Sequence, residues 1–400
     1  MVQYNYSMVT SVLIVLKHLI YGGTERYALN LANKLSEKGI QVTLISGDGP
    51  LAEYVSPKVN LFIMPISRKP RIKYSIERKI LELAKACKPQ IIHAQCRTSM
   101  VCSQLARVTL NIPLVTHEHH MYDNIDYPFI VGELRDGAEK IITIGPYTKR
   151  KLVTNGLKTQ GIVSILNGVD VKNILSISLQ EKKYARKSLH LSSSDKIVLC
   201  LSRLEPPKNI DRLVIAFIQI AKKIPQAKLL IVGDDQDGST KSYIQKIIEE
   251  NRLQEKVFLI DGTYDIRKYH AVADVFCYPP LGKGMAVMEA MAAGLPIVGK
   301  RTNRMPFVME DGVSGFMTDA TSQYKIDSDE IAEKLLWLLE RPDVAKQMGK
   351  AGRARIEEKF TLEKVVSNIL SVYEDVLNDH KTKSRTNELT GAIATPLYLQ

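Results

Sequence analysis

The sequence predicts an α/β chain of two doubly wound units, each a parallel sheet with helices on both faces. Three observations carry this. Short β-branched runs alternate with helical patterns through the first half of the chain. The same alternation restarts at residue 196. The chain has 400 residues, 45% of them hydrophobic, which is enough to bury two cores. Strand–helix alternation of this kind implies parallel strands joined by crossovers.

In the first half, "SVLIVL" (11–16) reads as a buried strand. It leads through "KHLIYGG" into "TERYALNLANKLSEKG", where Ala28, Leu31, Ala32 and Leu35 recur at helical spacing. Thr24 is a candidate cap for this helix and Gly39 its stop. Further strands are expected at 41–46, 90–94, 113–117, 140–145 and 161–168. In the second half, 196–204, 227–234, 256–262 and 273–280 read as strands. Residues 210–224 and a stretch around 241–252 read as helices. The polar stretch 172–194 shows no strand and is expected to join the two units. A helix over 361–378 precedes a polar tail, which is expected to be poorly ordered.

Net charge is +12, from 55 basic and 43 acidic residues, which favours anionic partners. The basic residues are spread along the chain with no aromatic-interleaved basic motif, so nucleic acid is not expected as a partner. Cys87, Cys96, Cys102, Cys200 and Cys277 form no CxxC pair and read as thiols of a reducing cytoplasm. The apolar run at Val12–Leu16 is too short to span a bilayer, and nothing resembles a signal peptide.

The stretch "GMAVMEAMAAG" (284–294) is apolar on every side except at Glu289. An ionised carboxylate in such a helix is costly unless paired. Two readings stay open. One is an ion pair with a nearby base. The other is a ligand carboxylate at the C-terminal edge of a parallel sheet, accepting hydrogen bonds from two ribose hydroxyls. Arg203 ends a strand and Lys208 follows five residues on in a proline-containing loop. A diphosphate needs cations in such a loop, although loop cations are also common solvated surface.

These residues carry a resemblance. Gly22-Gly23-Thr24-Glu25, His93, His117, Asn167-Gly168-Val169-Asp170, Arg203 with Lys208, Val232-Gly233-Asp234 and Glu289–Gly294 occur in the order that resembles the family 4 retaining glycosyltransferases. The resemblance runs from about residue 9 to 378. It implies a GT-B fold, two Rossmann-like domains facing across a cleft that holds a nucleotide-sugar. The implied domains are 1–180 on the acceptor side, 181–360 for the donor, a helix over 361–378 crossing back to the first domain, and a flexible tail over 379–400. It implies no metal and no cofactor, the nucleotide-sugar being a substrate.

Carried over by position, Arg203 and Lys208 would hold the donor diphosphate and stabilise the leaving group. Glu289 would bind the ribose. Gly22 and Gly23 would admit a phosphate at a helix start. The amides around Lys283, Gly284, Met285 and Ala286 would face the donor sugar, and Tyr264 would lie near the base. His117 would orient the sugar, and Glu118 and His119 would meet the acceptor. The resemblance favours UDP, with GDP left open. The family pattern has an acid eight residues before Glu289, where this chain has Leu281. That departure admits a different donor sugar, a substitute contact, or weak or absent catalysis. Lys283 beside the diphosphate admits a more anionic donor such as a uronic acid.

"THEHHMYD" (116–123) has the composition of a metal site, but adjacent residues on an extended segment point apart. The basic stretch 68–85 has Ile76, Ile80, Leu83 and Ala84 at helical spacing. It suits an anionic membrane surface or, equally, a solvated helix face packed on the sheet. The expected activity is transfer of a sugar from a UDP-sugar to a hydroxyl of a lipid-linked, polysaccharide or glycoside acceptor, with retention. The alternatives are a non-catalytic homologue that scaffolds an active partner, or a nucleotide-sugar epimerase. The expected location is the cytoplasm, including the inner face of the plasma membrane.

Overall fold

The computed structural model describes residues 9–119, 127–174, 178–235, 238–280, 284–302, 305–319 and 327–390. It divides into two compact units. The first is the chain up to Asn167 together with everything from Leu362 onward; the second is Gly168–Thr361.

The first unit holds a seven-stranded parallel sheet in the order β3-β2-β1-β4-β5-β6-β7. Its strands are β1 (Ser11–Leu16), β2 (Gln41–Ser46), β3 (Val59–Ile63), β4 (Ile91–Ala94), β5 (Leu114–Glu118), β6 (Lys140–Thr143) and β7 (Ile162–Ser164). The second unit holds six strands in the order β10-β9-β8-β11-β12-β13. They are β8 (Lys196–Leu201), β9 (Ala227–Val232), β10 (Val257–Ile260), β11 (Val275–Tyr278), β12 (Ile297–Lys300) and β13 (Gly315–Thr318). Every ladder pair is parallel. Each sheet therefore reverses its winding once, between β1 and β4 and between β8 and β11. In open parallel sheets, ligands bind at the carboxyl end of the strands at such a point.

The strand runs are apolar because helices cover both faces, and β1 is buried along its whole length. Strand β3 carries no such signal. It is an edge strand with Phe62 and Ile63 exposed, so its residues lack the pattern of a covered strand. Strand β7 is shorter than the 161–168 expected. The chain leaves the sheet after Ser164 and enters the second unit, where Val169 donates its N–H to the Phe360 carbonyl at 2.9 Å.

Helix α1 (Gly23–Glu37) corrects the expected cap. Gly22, in extended conformation, precedes the helix with no side-chain cap, and Thr24 lies within the first turn. The stop is as expected: Ile40 N–H reaches back to the Leu35 carbonyl at 3.2 Å past Gly39. Helix α2 (Pro70–Cys87) buries a single stripe, Ile76, Ile80 and Ala84. The segment read as a joining stretch contains a helix, Leu179–Ser188. Ser178 caps it by accepting from the Glu181 N–H, and the Glu181 carboxylate accepts from the Ser178 N–H. This helix packs on Arg267–Val272 and belongs to the second unit.

The last helix, Leu362–Thr390, is grouped with the first unit and runs past the expected end at 378. Val366, Ile369 and Tyr373 on it are buried, and Lys34 of α1 meets Glu363 at 3.3 Å. Among the described residues no helix is long and apolar enough to cross a membrane.

Candidate functional site

In the second unit, β8 ends at Leu201 and the loop after it carries Arg203. This loop is fixed on both sides. Leu204 N–H bonds the Asp234 carbonyl at 2.8 Å, and a Cβ at Gly233 would collide with the Ser202 carbonyl. Gly233 is therefore a packing requirement of the loop that presents Arg203. Two prolines then set a short 3-10 turn, Pro206–Lys208. Asn209 follows with φ 54°, a left-handed conformation that asparagine tolerates. Its side chain donates to the Pro279 carbonyl at 3.4 Å, tying the β8 loop to the β11 loop.

Arg203 and Lys208 converge on one carboxylate. Glu205 Oε1 lies 2.9 Å from Arg203 Nη1, and Glu205 Oε2 lies 3.9 Å from Lys208 Nζ. Burial holds the Lys208 ammonium below its ordinary pKa, and the Arg203 charge pushes the same way, while Glu205 opposes both. The sequence pattern that singles out the two cations passes over Glu205, because an acid in a polar loop reads as surface.

Across the point of reversal, β11 ends at Tyr278, whose buried hydroxyl is also absent from the sequence reading. Burial pushes it up to about 12, while a backbone hydrogen bond from Gly284 and the charge of Arg203 act to lower it. One tyrosine thus bonds the start of the next helix and lies in the field of Arg203. Gly284, with φ 74°, opens the helix Met285–Ala292, which has no side-chain cap. Met285 and Ala286 stand in its first turn, where backbone N–H groups have no acceptor within the helix. Glu289 is 7% exposed in the body of this helix among Met285, Val287, Met288 and Met291. The expectations on Leu281 and Lys283 lie outside the described residues. Tyr264 is half-buried in the loop after β10, two strands from β8. At the spacing of neighbouring strands that is roughly 10 Å, about the length of a nucleoside.

In the first unit the strand ends gather differently from the expectation. Glu25 folds back over the start of α1. A Cβ on Gly22 would overlap its carboxylate, and its Oε1 lies 3.3 Å from His18 Nδ1. The acid of the chain itself thus occupies the space beside Gly22 at a helix N-terminus. His117 and His119, two apart on one strand line, come to the same side with rings stacked at 4.1 Å. His93 of β4 stacks on His117 at 5.8 Å, and Tyr27 of α1 meets His117 and His119 edge-on. His93 Nδ1 lies 2.7 Å from the Tyr373 hydroxyl on the last helix.

The column is wholly buried. Burial lowers His93 to about 3, and burial together with His93 holds His117 well below the ordinary histidine value, so both are neutral. His119 Nε2 pairs with Gln95 Oε1 at 3.2 Å. Glu118 falls on the opposite side with Thr116, at 3.4 Å, so the strand separates the two residues expected to meet the acceptor together. Among the described residues no group of histidines, cysteines and acids could hold a metal ion.

Two family models cover most of the chain. "Glycosyltransferase Family 4" matches residues 21–173, and "Glycosyl transferases group 1" matches 181–355. The chain is a GT-B glycosyltransferase of the family 4 type. An uncharacterized glycosyltransferase of Haemophilus influenzae is 29% identical over 360 residues, 86% of this chain and 94% of the relative. The N-acetyl-alpha-D-glucosaminyl L-malate synthase of Bacillus anthracis is 23% identical over 376 residues, 90% and 96% of the two chains. Among solved structures, Anabaena HepE in complex with UDP and glucose superposes with a TM-score of 0.78 at 20% identity, over 90% of this chain and 98% of HepE. For this GT-B chain, that last likeness establishes the fold: two Rossmann-like parallel-sheet domains.

Proposed function

We propose that this glycosyltransferase moves a sugar from a UDP-sugar to a hydroxyl of a carbohydrate or lipid-linked acceptor, with retention at the anomeric carbon. One observation supports the donor site most. Arg203 and Lys208 converge on a single carboxylate at the reversal of the second sheet, beside the N-terminus of the helix that bears Glu289. HepE, a relative in fold, binds UDP and glucose, which favours uridine.

In this reading Arg203 and Lys208 hold the diphosphate and neutralise charge as the donor bond breaks. The amides at Gly284, Met285 and Ala286 face the donor sugar, Glu289 accepts from the ribose hydroxyls, and Tyr264 lies by the base. The acceptor oxygen attacks on the face the phosphate leaves. Its proton passes to the departing phosphate oxygen, so UDP departs and no covalent enzyme intermediate forms. On the first unit, His117 is the residue assigned to the sugar, with Glu118 and His119 on the acceptor side. Gly22 and Gly23 admit a phosphate only where the Glu25 carboxylate turns aside. No metal takes part.

The exposed side of α2, with Arg71, Ile72, Tyr74, Arg78 and Lys79, suits docking on an anionic membrane that presents the acceptor.

A nucleotide-sugar panel with mass-spectrometric readout tests the donor reading. Turnover is expected with a UDP-sugar. Arg203→Ala is expected to lower kcat by roughly a hundredfold or more. Glu289→Ala is expected to weaken UDP binding by about tenfold or more, the loss of hydrogen bonds to a charged group. Wild-type turnover by both variants would remove the site assignment.

A further inference from the structure

Resting on that donor reading, we propose that Glu205 is a built-in stand-in for the donor diphosphate. Two cations after the end of β8 reach the same carboxylate, and the guanidinium of Arg203 acts on the Lys208 ammonium as a like charge. Lys208 is also largely desolvated, so the pair is unfavourable without an anion. Glu205 supplies that anion by reaching one oxygen to each cation, at 2.9 Å and 3.9 Å.

The local chain suits a carboxylate that comes and goes. The Glu205 backbone is extended, with φ −140° and ψ 146°, and its carbonyl anchors the turn by accepting the Lys208 N–H at 2.9 Å. Pro206 and Pro207 stiffen the turn whichever way the side chain points. The side chain is partly exposed, so it has solvent to move into, and its contact with Lys208 is loose.

Two consequences follow from an internal anion. It keeps both cations in place and partly neutralised in the free enzyme. It also competes with the phosphates, so it sets how tightly donor and product nucleotide are held. An orienting residue would act in the opposite direction, since its loss would weaken nucleotide binding.

Glu205→Gln keeps size and backbone and removes the charge. UDP, with GDP and ADP in parallel, is titrated by calorimetry into wild type, Glu205→Gln, Lys208→Ala and Glu205→Gln/Lys208→Ala. The expected result is UDP binding tighter by about two- to fivefold in Glu205→Gln, the scale of a partly exposed ion pair. The donor KM is expected to fall in parallel without a rise in kcat. In the Lys208→Ala background the gain is expected to shrink. UDP binding that is unchanged or weaker in Glu205→Gln overturns the stand-in. If Lys208→Ala binds UDP as wild type does, or if no nucleotide binds wild type, the diphosphate reading of the loop fails, and the stand-in falls with it.

Discussion

At the scale of single residues, the histidine column has a measurable consequence. His93 and His117 have folded-state values below the unfolded value of about 6.5, His93 at about 3. As pH falls, the unfolded chain takes up these protons first. Their contribution to stability is therefore complete above about 6.5 and is lost progressively below it, for His93 down to about 3. Each locked histidine adds up to about 1.4 kcal/mol per pH unit to the slope within that window. His117→Asn is expected to flatten the slope of stability against pH between about 6.5 and 4, measured by urea unfolding at a series of pH values. An unchanged slope would mean that His117 is protonated or solvated in the native state. Tyr27 and Tyr373 complete this column, and no local pattern signals them. Tyr373 lies 280 positions from His93, and only packing of the last helix brings them together.

At the scale of elements, α2 shows why an amphipathic pattern does not choose its own partner. Its stripe of Ile76, Ile80 and Ala84 is used inside the first unit, alongside Leu13 and Ile92 of the sheet. What remains outside is basic, with Ile72 exposed and Tyr74 67% exposed. Flotation with vesicles containing anionic lipid is expected to recover the protein. Replacing Arg71, Arg78 and Lys79 by Gln is expected to weaken vesicle binding by about a hundredfold, at roughly 1 kcal/mol per basic residue near the surface. Equal recovery on neutral vesicles would exclude an electrostatic surface. The helix Met285–Ala292 is the clearer case. Its apolar run, the following Gly294 and the single acid mark it in the sequence, and the structure places it where they imply. Its left-handed Gly284 start and the Tyr278 contact belong to the fold alone.

At the scale of the whole molecule, the last helix makes the first unit discontinuous in sequence. A chain ended at Thr361 would strip the buried faces of Val366, Ile369 and Tyr373 from that unit. In hydrogen exchange on this truncated chain, β1, β4 and β5 are expected to lose protection, while β8, β9 and β11 keep theirs. Uniform loss across both sheets would show that the two units do not unfold separately. The sequence by itself determined the two parallel sheets and most of their strands, because a strand covered on both faces must be apolar along its length. It also marked Arg203, Lys208 and Glu289, since a charge in an apolar helix or at a strand end is conspicuous. Only the tertiary structure decided that Glu205 lies between the two cations, that Glu25 covers Gly22, and that three histidines and two tyrosines form one column. Those contacts join residues whose local surroundings are ordinary, and their energies arise from burial and proximity that no short stretch of chain contains.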